Sequence, residues 1–168
     1  MPTGLRIARI QPPHYGHLDA IKQAIDAGMD KILIGIWSAH ESHTAQNPFT
    51  GEEREYMMQQ MLETEKLDKY TDIYHIPDYP EDVLRVKHIQ ESFPLFHTVI
   101  SDNPRVVENF IPLEIPIFHP IMRKNIRAAD IRKALATNDQ KTLQQYISPD
   151  VLTYLNKINA SQRIRNFK

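Results

Sequence analysis

The first 37 residues constrain the fold more than any other stretch of the chain. Residues 5–10, LRIARI, favour a β-strand, and residues 17–28 carry apolar side chains at helical spacing before Gly28. Residues 30–37, DKILIGIW, form a continuous apolar run that is typical of a strand buried on both faces. A strand, a helix and a second buried strand predict a βαβ unit, in which parallel strands are joined by a right-handed crossover.

The same alternation continues along the rest of the chain. The patterns predict helices over 50–66, 81–92 and 104–110, strands over 71–77, 97–102 and 113–118, and two closing helices over 127–136 and 149–158. A chain of 168 residues is long enough to bury one proper core. We therefore predict an α/β fold, a Rossmann-like parallel sheet flanked by helices with further C-terminal helices, in a single domain over residues 1–168.

Composition excludes several classes of function. The formal net charge is −1, from 20 basic and 21 acidic residues mixed along the chain, so no broad basic surface for nucleic acid is expected. The chain has no cysteine, which excludes disulfides and thiolate metal sites. It shows neither a basic leader before an apolar run nor a segment of 18 apolar residues. We expect a cytoplasmic protein without nucleic-acid or membrane partners.

Two polar segments follow the first two predicted strands. Residues 9–17, RIQPPHYGH, follow the first strand, and the long segment 38–49, SAHESHTAQNPF, follows the second. The carboxyl ends of parallel strands lie at the same edge of a sheet, which is where open α/β sheets bind ligands. We predict that these two histidine-bearing segments meet over one crevice.

The segment before the first helix has the composition of an anion site. A helix N-terminus presents unpaired backbone N–H groups and a partial positive charge, and the imidazoles of His14 and His17 can add donors. Gly16 would let a phosphate approach the backbone closely, and Arg9 is a further cation. Two alternatives remain at this point: the histidines are simply surface residues, or they bind zinc, since His40 and His43 repeat their spacing.

The motif RIQPPHYGH resembles the His-x-Gly-His phosphate-binding signature of the nucleotidyltransferase superfamily. Three further segments are similar to the archaeal-type nicotinamide mononucleotide adenylyltransferases of that superfamily, in order and at compatible spacing. They are SAHESHTAQNPFTGEER at 38–54, SDNPRVVENF at 101–110 and IRAADIRKAL at 126–135. The resemblance covers nearly the whole chain and implies a fold of the nucleotidyltransferase type.

The resemblance also implies roles for individual residues. His14 and His17 would bind the nucleotide triphosphate, with His17 nearest the α-phosphate, and Arg132 would hold the β- and γ-phosphates. Asn103 would lie beside the adenosine or cap a helix, and Arg54 would be a structural ion-pair partner. The full set of nucleotide-contacting residues that the resemblance adds is Arg9, Gln11, Gly16, Gln46, Asn103 and Arg127.

The reaction implied by the resemblance joins two substrates, ATP and a phosphorylated acceptor. A phosphate oxygen of nicotinamide mononucleotide attacks the α-phosphorus of ATP, pyrophosphate leaves and NAD forms, without a covalent enzyme intermediate. Mg²⁺ accompanies ATP in such a reaction, and positioning and electrostatic stabilisation supply the catalysis. The resemblance further implies a homo-oligomer, and no metal site built from protein side chains alone.

Three positions depart from the family pattern. Arg127, Ala128 and Ala129 stand where the family has Ser-Gly-Thr, so two hydroxyls are missing, and Arg127 is either a substitute cation or exposed to solvent. Gln46 replaces a phosphate-binding arginine. Arg85 replaces the tryptophan that stacks on nicotinamide, and a guanidinium favours a neutral or anionic ring over a cationic one.

These departures leave two alternatives open beside the leading function. One is a nucleotidyltransferase with another nucleotide or acceptor, as in phosphopantetheine or cytidylyl transferases. The other is a nucleotide-binding protein that has lost catalysis. The single tryptophan, Trp37, ends the second strand, and we interpret it as a core residue.

Overall fold

Five parallel strands form one sheet at the centre of the molecule. The computed structural model describes residues 2–122 and 125–167. The strands are β1 (Thr3–Ala8), β2 (Lys31–Ile36), β3 (Thr71–His75), β4 (Thr98–Ile100) and β5 (Ile117–Phe118). Their order is β3-β2-β1-β4-β5, so the chain winds outward first on one side of β1 and then on the other. The predicted parallel sheet is confirmed, and its topological switch point lies between β1 and β4.

Eight helices accompany the sheet in the described part of the chain. They are α1 (Tyr15–Asp26), α2 (Gly51–Thr64), α3 (Asp82–Ser92), α4 (Pro104–Phe110), α5 (Ala128–Thr137), α6 (Gln140–Tyr146), α7 (Pro149–Lys157) and α8 (Ala160–Arg165). The sequence patterns predicted all of these except α6 and α8. These two helices have only seven and six residues, and neither begins with a proline, the start signal that marks the equally short α4. None of the described helices is long and apolar enough to cross a bilayer.

Separate apolar clusters cover the two faces of the sheet. On one face, Leu18 and Ile21 of α1 pack with Met57 and Met61 of α2 and with the C-terminal helices. On the other face, a second cluster joins side chains of β1, β2 and β4 to helices α3 and α4. Its buried members include Leu5, Ile7, Leu33, Val86, Ile89, Val99 and Phe110. Helices therefore lie on both faces, as predicted from the buried strands.

The first strand lies two residues earlier than predicted and the last is shorter than predicted, and each difference has a local cause. β1 ends at Ala8, because Ile10 adopts a left-handed backbone with φ of 54° and turns the chain before the cis peptide bond at Pro12. A positive φ is uncommon for a β-branched residue and costs of the order of 1–3 kcal/mol. β5 is cut to two residues because a 3₁₀ turn at Ile111–Leu113 and a left-handed Glu114 precede it.

The start of α2 is held by a capping box and by the end of the chain. Thr50 Oγ1 accepts a hydrogen bond from the Glu53 N–H (3.1 Å), and Glu53 Oε2 accepts one from the Thr50 N–H (3.0 Å). Arg163 of α8 binds the same Glu53 oxygen at 2.6 Å. The last helix thus fixes the helix entrance that follows the long 38–49 segment.

Candidate functional site

Two adjoining cavities open at the carboxyl edge of the sheet. The first, which we call the imidazole cavity, has a volume of about 370 Å³ and is lined by His14, His17 and Arg132, among others. The second, the tryptophan cavity, has a volume of about 430 Å³ and contains Trp37. The two cavities share lining residues, among them Arg9. They form one continuous cleft above β1, at the switch point of the sheet.

The two histidines are locked together at the start of α1. His14 is the N-cap of the helix, and its Nδ1 accepts a hydrogen bond from the Gly16 N–H at 3.1 Å. His17 Nδ1 accepts in turn from the His14 N–H at 3.2 Å, and the two ring centroids are 3.9 Å apart. Because each Nδ1 accepts, each ring carries its hydrogen on Nε2. Each imidazole therefore has its Nε2–H available as a hydrogen-bond donor to a ligand.

Both rings are held in the neutral state. Burial, and then the charge of Arg6, lowers the pKa of His14 to about 4. The pKa of His17 is lowered well below its usual value by burial, and further by His14 and Arg6. At neutral pH the cavity therefore presents two uncharged Nε2–H donors at the positive end of the α1 dipole.

Gly16 allows this arrangement for a steric reason. A Cβ at this position would lie 2.9 Å from the Nδ1 and Cε1 atoms of His14, closer than such atoms approach. A side chain at this position would push the His14 ring away from the helix entrance. The glycine was expected to admit a phosphate, and in the structure its open side is occupied by the His14 ring.

The two arginines that were predicted to bind phosphates line the imidazole cavity. Arg132 of α5 is half-buried, and its Nη1 donates to the carbonyl of Gln11 at 2.9 Å. Burial, and next the nearby Arg9, lowers its pKa. Arg9 is exposed and lines both cavities. Both predicted cations are therefore brought to the cleft.

Of three further residues expected to contact the nucleotide, Gln11 lines the imidazole cavity, whereas Gln46 and Arg127 lie outside the described lining of both cavities. The Gln11 amide is buried and fully engaged, because its Nε2 donates to the Phe49 carbonyl (3.0 Å) and its Oε1 accepts from the Phe49 N–H (3.1 Å). Gln46 is exposed at the tip of a turn that closes on Asn47, outside the described lining of either cavity. Arg127 is also exposed and outside, whereas the next two residues, alanines, line the cavity.

Asn103 lies at the border of the two cavities. Its side-chain Oδ1 accepts from the Arg105 N–H at 3.0 Å and so caps α4, while its backbone N–H donates to Ser101 Oγ. The helix-capping interpretation is therefore confirmed. The amide nitrogen of the same side chain is left for a ligand in either cavity, since this residue lines both.

The tryptophan cavity is organised by an ion network. Arg85 lies over the Trp37 ring, 3.9 Å from its centroid, and donates to Asp82. Asp82 also accepts two hydrogen bonds from Arg105, at 2.8 and 3.0 Å. These bonds hold the pKa of Asp82 well below its usual range, with Arg105 the largest cause. The carboxylate is therefore ionised and fixes both guanidinium groups.

This network corrects two expectations. Arg85 was expected to stack on a ligand ring, but its guanidinium stacks on Trp37 and its charge is paired with Asp82. Trp37 was interpreted as a core residue, but it is half-buried, packing against the second cluster with one part and lining the cavity with another. The aromatic lining of the tryptophan cavity thus comes from Trp37, directly after β2, and from Tyr79, before α3.

Arg54 has a role that the sequence did not predict. It was expected to be an ion-pair partner, yet its fully buried guanidinium donates to five backbone carbonyls. The acceptors are the carbonyl oxygens of Thr50, Arg9, Trp37, Ser38 and Ala39, at distances from 2.7 to 3.2 Å. It therefore ties together the segments that follow β1 and β2, and the predicted meeting of these segments is confirmed.

Sequence reasoning also missed Arg6, Asp82 and Arg105. Arg6 had one signal, because a charge in the middle of a buried strand is costly and demands an explanation. Asp82 and Arg105 had none, since they come from different helices and only the tertiary structure brings them together.

The described residues do not support the alternative that the histidines bind zinc. Between residues 2 and 122 and between 125 and 167, no three His, Asp or Glu side chains cluster as a metal centre would require. His40 and His43 are exposed and lie outside the described lining of both cavities.

Comparisons with known proteins agree with this geometry. The family model described as cytidylyltransferase-like matches residues 9–134. The nicotinamide-nucleotide adenylyltransferase of Pyrococcus horikoshii is 31% identical over 99% of this chain and 89% of its own length. The protein of the same name from Methanospirillum hungatei is 34% identical, over 98% of this chain and 93% of its own.

A solved structure shares the fold. It is a bifunctional NMN adenylyltransferase/ADP ribose pyrophosphatase from Francisella tularensis, complexed with AMP and an Mn ion, with a TM-score of 0.76 and 20% identity. The alignment covers 98% of this chain and about half (51%) of that protein. The predicted fold type and superfamily are confirmed: this chain belongs to the cytidylyltransferase-like family of nucleotidyltransferases and is close in sequence to the archaeal nicotinamide-nucleotide adenylyltransferases.

Proposed function

We propose that this protein transfers AMP from ATP to nicotinamide mononucleotide, forming NAD and releasing pyrophosphate. One observation carries the proposal. His14 and His17 stand as neutral imidazoles, each with a free Nε2–H donor, at the N-terminus of α1 beside Arg9 and Arg132. This set of donors and cations fits a polyphosphate better than any uncharged ligand.

The imidazole cavity would hold the triphosphate. His17, at the positive end of the α1 dipole, donates to the α-phosphoryl oxygens, where charge builds as the acceptor oxygen attacks. Arg132 and Arg9 bind the β- and γ-phosphates and stabilise the leaving pyrophosphate. The new P–O bond forms as the bond from the α-phosphorus to the bridging oxygen breaks, so no protein nucleophile is needed.

A divalent cation fits this site only as a companion of the nucleotide. Among the described lining residues of the imidazole cavity, Asp102 is the one carboxylate. Mg²⁺ commonly binds in this way, through one carboxylate together with substrate phosphates and water. When bound with ATP, Mg²⁺ would neutralise part of the phosphate charge, with Asp102 as its protein ligand.

The tryptophan cavity would hold the acceptor. Its border with the imidazole cavity contains Arg9, which can receive the phosphate of the mononucleotide. At the other side, the part of the Trp37 ring left open can pack against the nicotinamide ring. Glu41 and Asp78 line this cavity, and the charge of Arg85 is paired with Asp82. A cationic nicotinamide is therefore compatible with the cavity, although Arg85 stands there.

The assay is direct. Purified protein is mixed with ATP, Mg²⁺ and nicotinamide mononucleotide, and NAD and pyrophosphate are measured. We expect equal amounts of both products. If neither forms at high enzyme concentration, the named acceptor is wrong, and a panel of triphosphates and phosphorylated acceptors identifies another transferase activity.

Ala128 and Ala129 favour a second candidate, a nucleotide-binding protein that has lost catalysis. Both line the imidazole cavity with methyl groups and offer no hydroxyl to a phosphate. Tight nucleotide binding without turnover across the panel would support this candidate. Restored turnover in the double variant Arg127→Ser with Ala129→Thr would then show that the missing hydroxyls caused the loss of catalysis.

Location and assembly are part of the same proposal. An enzyme that uses ATP and a pyridine mononucleotide works where both are present, in the cytoplasm. The homo-oligomer that the family resemblance implies stays a prediction, and sedimentation of the purified protein tests it.

A further inference from the structure

Arg6 is a buried charge that the proposed chemistry has not yet used. It lies in the middle of β1, on the strand position between Leu5 and Ile7, which point into the apolar cluster on the other face of the sheet. Its side chain is only 9% exposed, yet it lines the imidazole cavity together with His14 and His17. A charged group in such a position requires partners, because an isolated buried ion costs several kcal/mol.

The partners of Arg6 among the described residues are incomplete. Nη1 donates to the Ile100 carbonyl at 3.2 Å. Nη2 lies 4.0 Å from Asp102 Oδ1, on a side chain that is 41% exposed. Nε is buried and has no hydrogen-bond partner in the described structure. Buried polar groups almost always have a partner, so an orphaned guanidinium N–H in a cavity wall points to a ligand.

The positive charge around Arg6 indicates that this ligand is an anion. Arg6 from β1, Arg9 after β1 and Arg132 from α5 all line the cavity, where Asp102 is the one carboxylate in the described lining. His14 and His17 from α1 add neutral donors. Burial lowers the pKa of Arg6, but a guanidinium stays protonated at any physiological pH.

Resting on the proposed function, we propose that Arg6 is a substrate-binding residue, whose guanidinium donates to a phosphate oxygen of the nucleotide held at the N-terminus of α1. The bound phosphate completes the hydrogen bonding of a cation that the fold has already desolvated. Such a preorganised donor is stronger than one at the surface, because little solvent has to be displaced when the ligand arrives.

A purely structural role for Arg6 makes different predictions. In that case the side chain only ties the end of β4 to β1 through the Ile100 carbonyl, and its loss would change stability without changing phosphate affinity. Arg6→Gln separates the two roles, because the amide keeps an N–H donor for that carbonyl and removes the charge. Arg6→Lys restores a charge without the orphaned Nε, and Arg165→Gln on exposed α8 is the control.

The experiment measures binding of a non-hydrolysable ATP analogue and of inorganic pyrophosphate by calorimetry, both with Mg²⁺. We expect Arg6→Gln to weaken the analogue at least tenfold and to lower kcat/KM about 100-fold, the size of effect of losing one donor to a developing charge. Arg6→Lys should recover part of the affinity, and Arg165→Gln should match the wild type. The ligand-free Arg6→Gln protein should also show a raised His14 pKa by NMR, since one positive charge is gone.

The outcomes separate this inference from the proposed function. If the wild type forms NAD and Arg6→Gln binds the analogue equally well, the role of Arg6 is overturned and the function stands. If the wild type binds the analogue and Arg6→Gln weakens it, but no NAD forms, the role of Arg6 is supported and the acceptor is wrong. If Arg6→Gln does not fold, Arg6→Lys decides: affinity equal to wild type overturns a role for Nε, and weakened affinity supports it.

Discussion

The two ends of the cleft, the imidazole cavity and the tryptophan cavity, differ in how their charged side chains are paired. In the imidazole cavity, Arg6, Arg9 and Arg132 face neutral histidines, and the described hydrogen bonds of these arginines go to backbone carbonyls. In the tryptophan cavity, Arg85 and Arg105 converge on the carboxylate of Asp82. The first end is left with an excess of positive charge, whereas the second is largely neutralised from within. An anion is therefore needed to complete only the first end.

The difference teaches how each end recognises a ligand. Unpaired donors in a desolvated cavity gain energy when charge arrives, so the imidazole cavity suits the reacting phosphates. The ion network of Arg85, Arg105 and Asp82 attracts a charged ligand only weakly, because its charges are already paired. It instead holds Trp37 in one orientation and sets the shape of the cavity. Under the proposed function, the tryptophan cavity would therefore position the acceptor, and the imidazole cavity would stabilise the charge of the reacting phosphates.

The largest effect should come from the residue that joins the two ends. Arg54→Met leaves the carbonyls at the ends of β1 and β2 without their donor, and we expect a loss of about 3–5 kcal/mol of unfolding free energy, or roughly 10 °C in Tm. Arg54→Lys, which keeps the charge but reaches fewer carbonyls, should lose less. Thermal denaturation measures the Tm of both variants. A Tm shift below about 2 °C for Arg54→Met would contradict the role of Arg54 in tying the two segments together.

The next effect tests the phosphate end alone. His17→Ala removes one Nε2–H donor to the α-phosphoryl group, and we expect turnover to fall about 100-fold or more. His97→Ala is the matched control, because His97 lies at the opposite edge of the sheet, where its ring accepts from the Thr3 N–H and its backbone N–H donates to the Thr3 carbonyl. An unchanged rate in His17→Ala would remove this histidine from the reaction.

The neutral imidazoles should make stability depend on pH. In the unfolded chain His14 binds a proton near pH 6.5, but in the native protein it binds one only near pH 4, so the unfolded state holds more protons in between. Stability should therefore fall as pH falls, by about 2 kcal/mol from pH 7 to pH 5 through this group. Urea denaturation at several pH values measures the slope.

His14→Asn is the control for that slope. Asparagine can also cap a helix but does not titrate in this range. The variant should show a smaller pH dependence, and some should remain, because the lowered pKa of His17 acts in the same direction. An undiminished slope would show that other groups carry it.

The smallest effect tests the tryptophan end. Asp82→Asn weakens the hold on Arg85 and Arg105 and frees positive charge beside Trp37. We expect KM for nicotinamide mononucleotide to rise about tenfold, which corresponds to about 1.4 kcal/mol, while KM for ATP stays the same. Steady-state kinetics with each substrate varied in turn measure this. Equal changes in both KM values would show that the two ends do not act separately.

The cation at Arg132 was predicted from the family resemblance. Local sequence patterns accounted for the parallel sheet, for the helix that begins near His14 and for the cation at Arg9. These features depend on residues close together in the chain: an apolar run forms a strand, and a polar junction with two histidines precedes a helix. Gln11, Gln46 and Arg127 were assigned by transferring a family position to a side chain whose neighbours were unknown, and of the three only Gln11 belongs to the described lining of the imidazole cavity. The side-chain amide of Gln11, for example, is hydrogen-bonded to the backbone of Phe49, 38 residues away.

Other properties came only from the tertiary structure. The partners of Arg54, the stacking of Arg85 on Trp37 and the exposure of Arg6 to the imidazole cavity each join segments that are distant in sequence. No local pattern encodes such contacts, because burial and charge pairing depend on which elements pack together. The sequence predicted a phosphate-binding junction and determined the fold that carries it. Packing decided which charges remain unpaired there, and hence which side chains are left for a substrate.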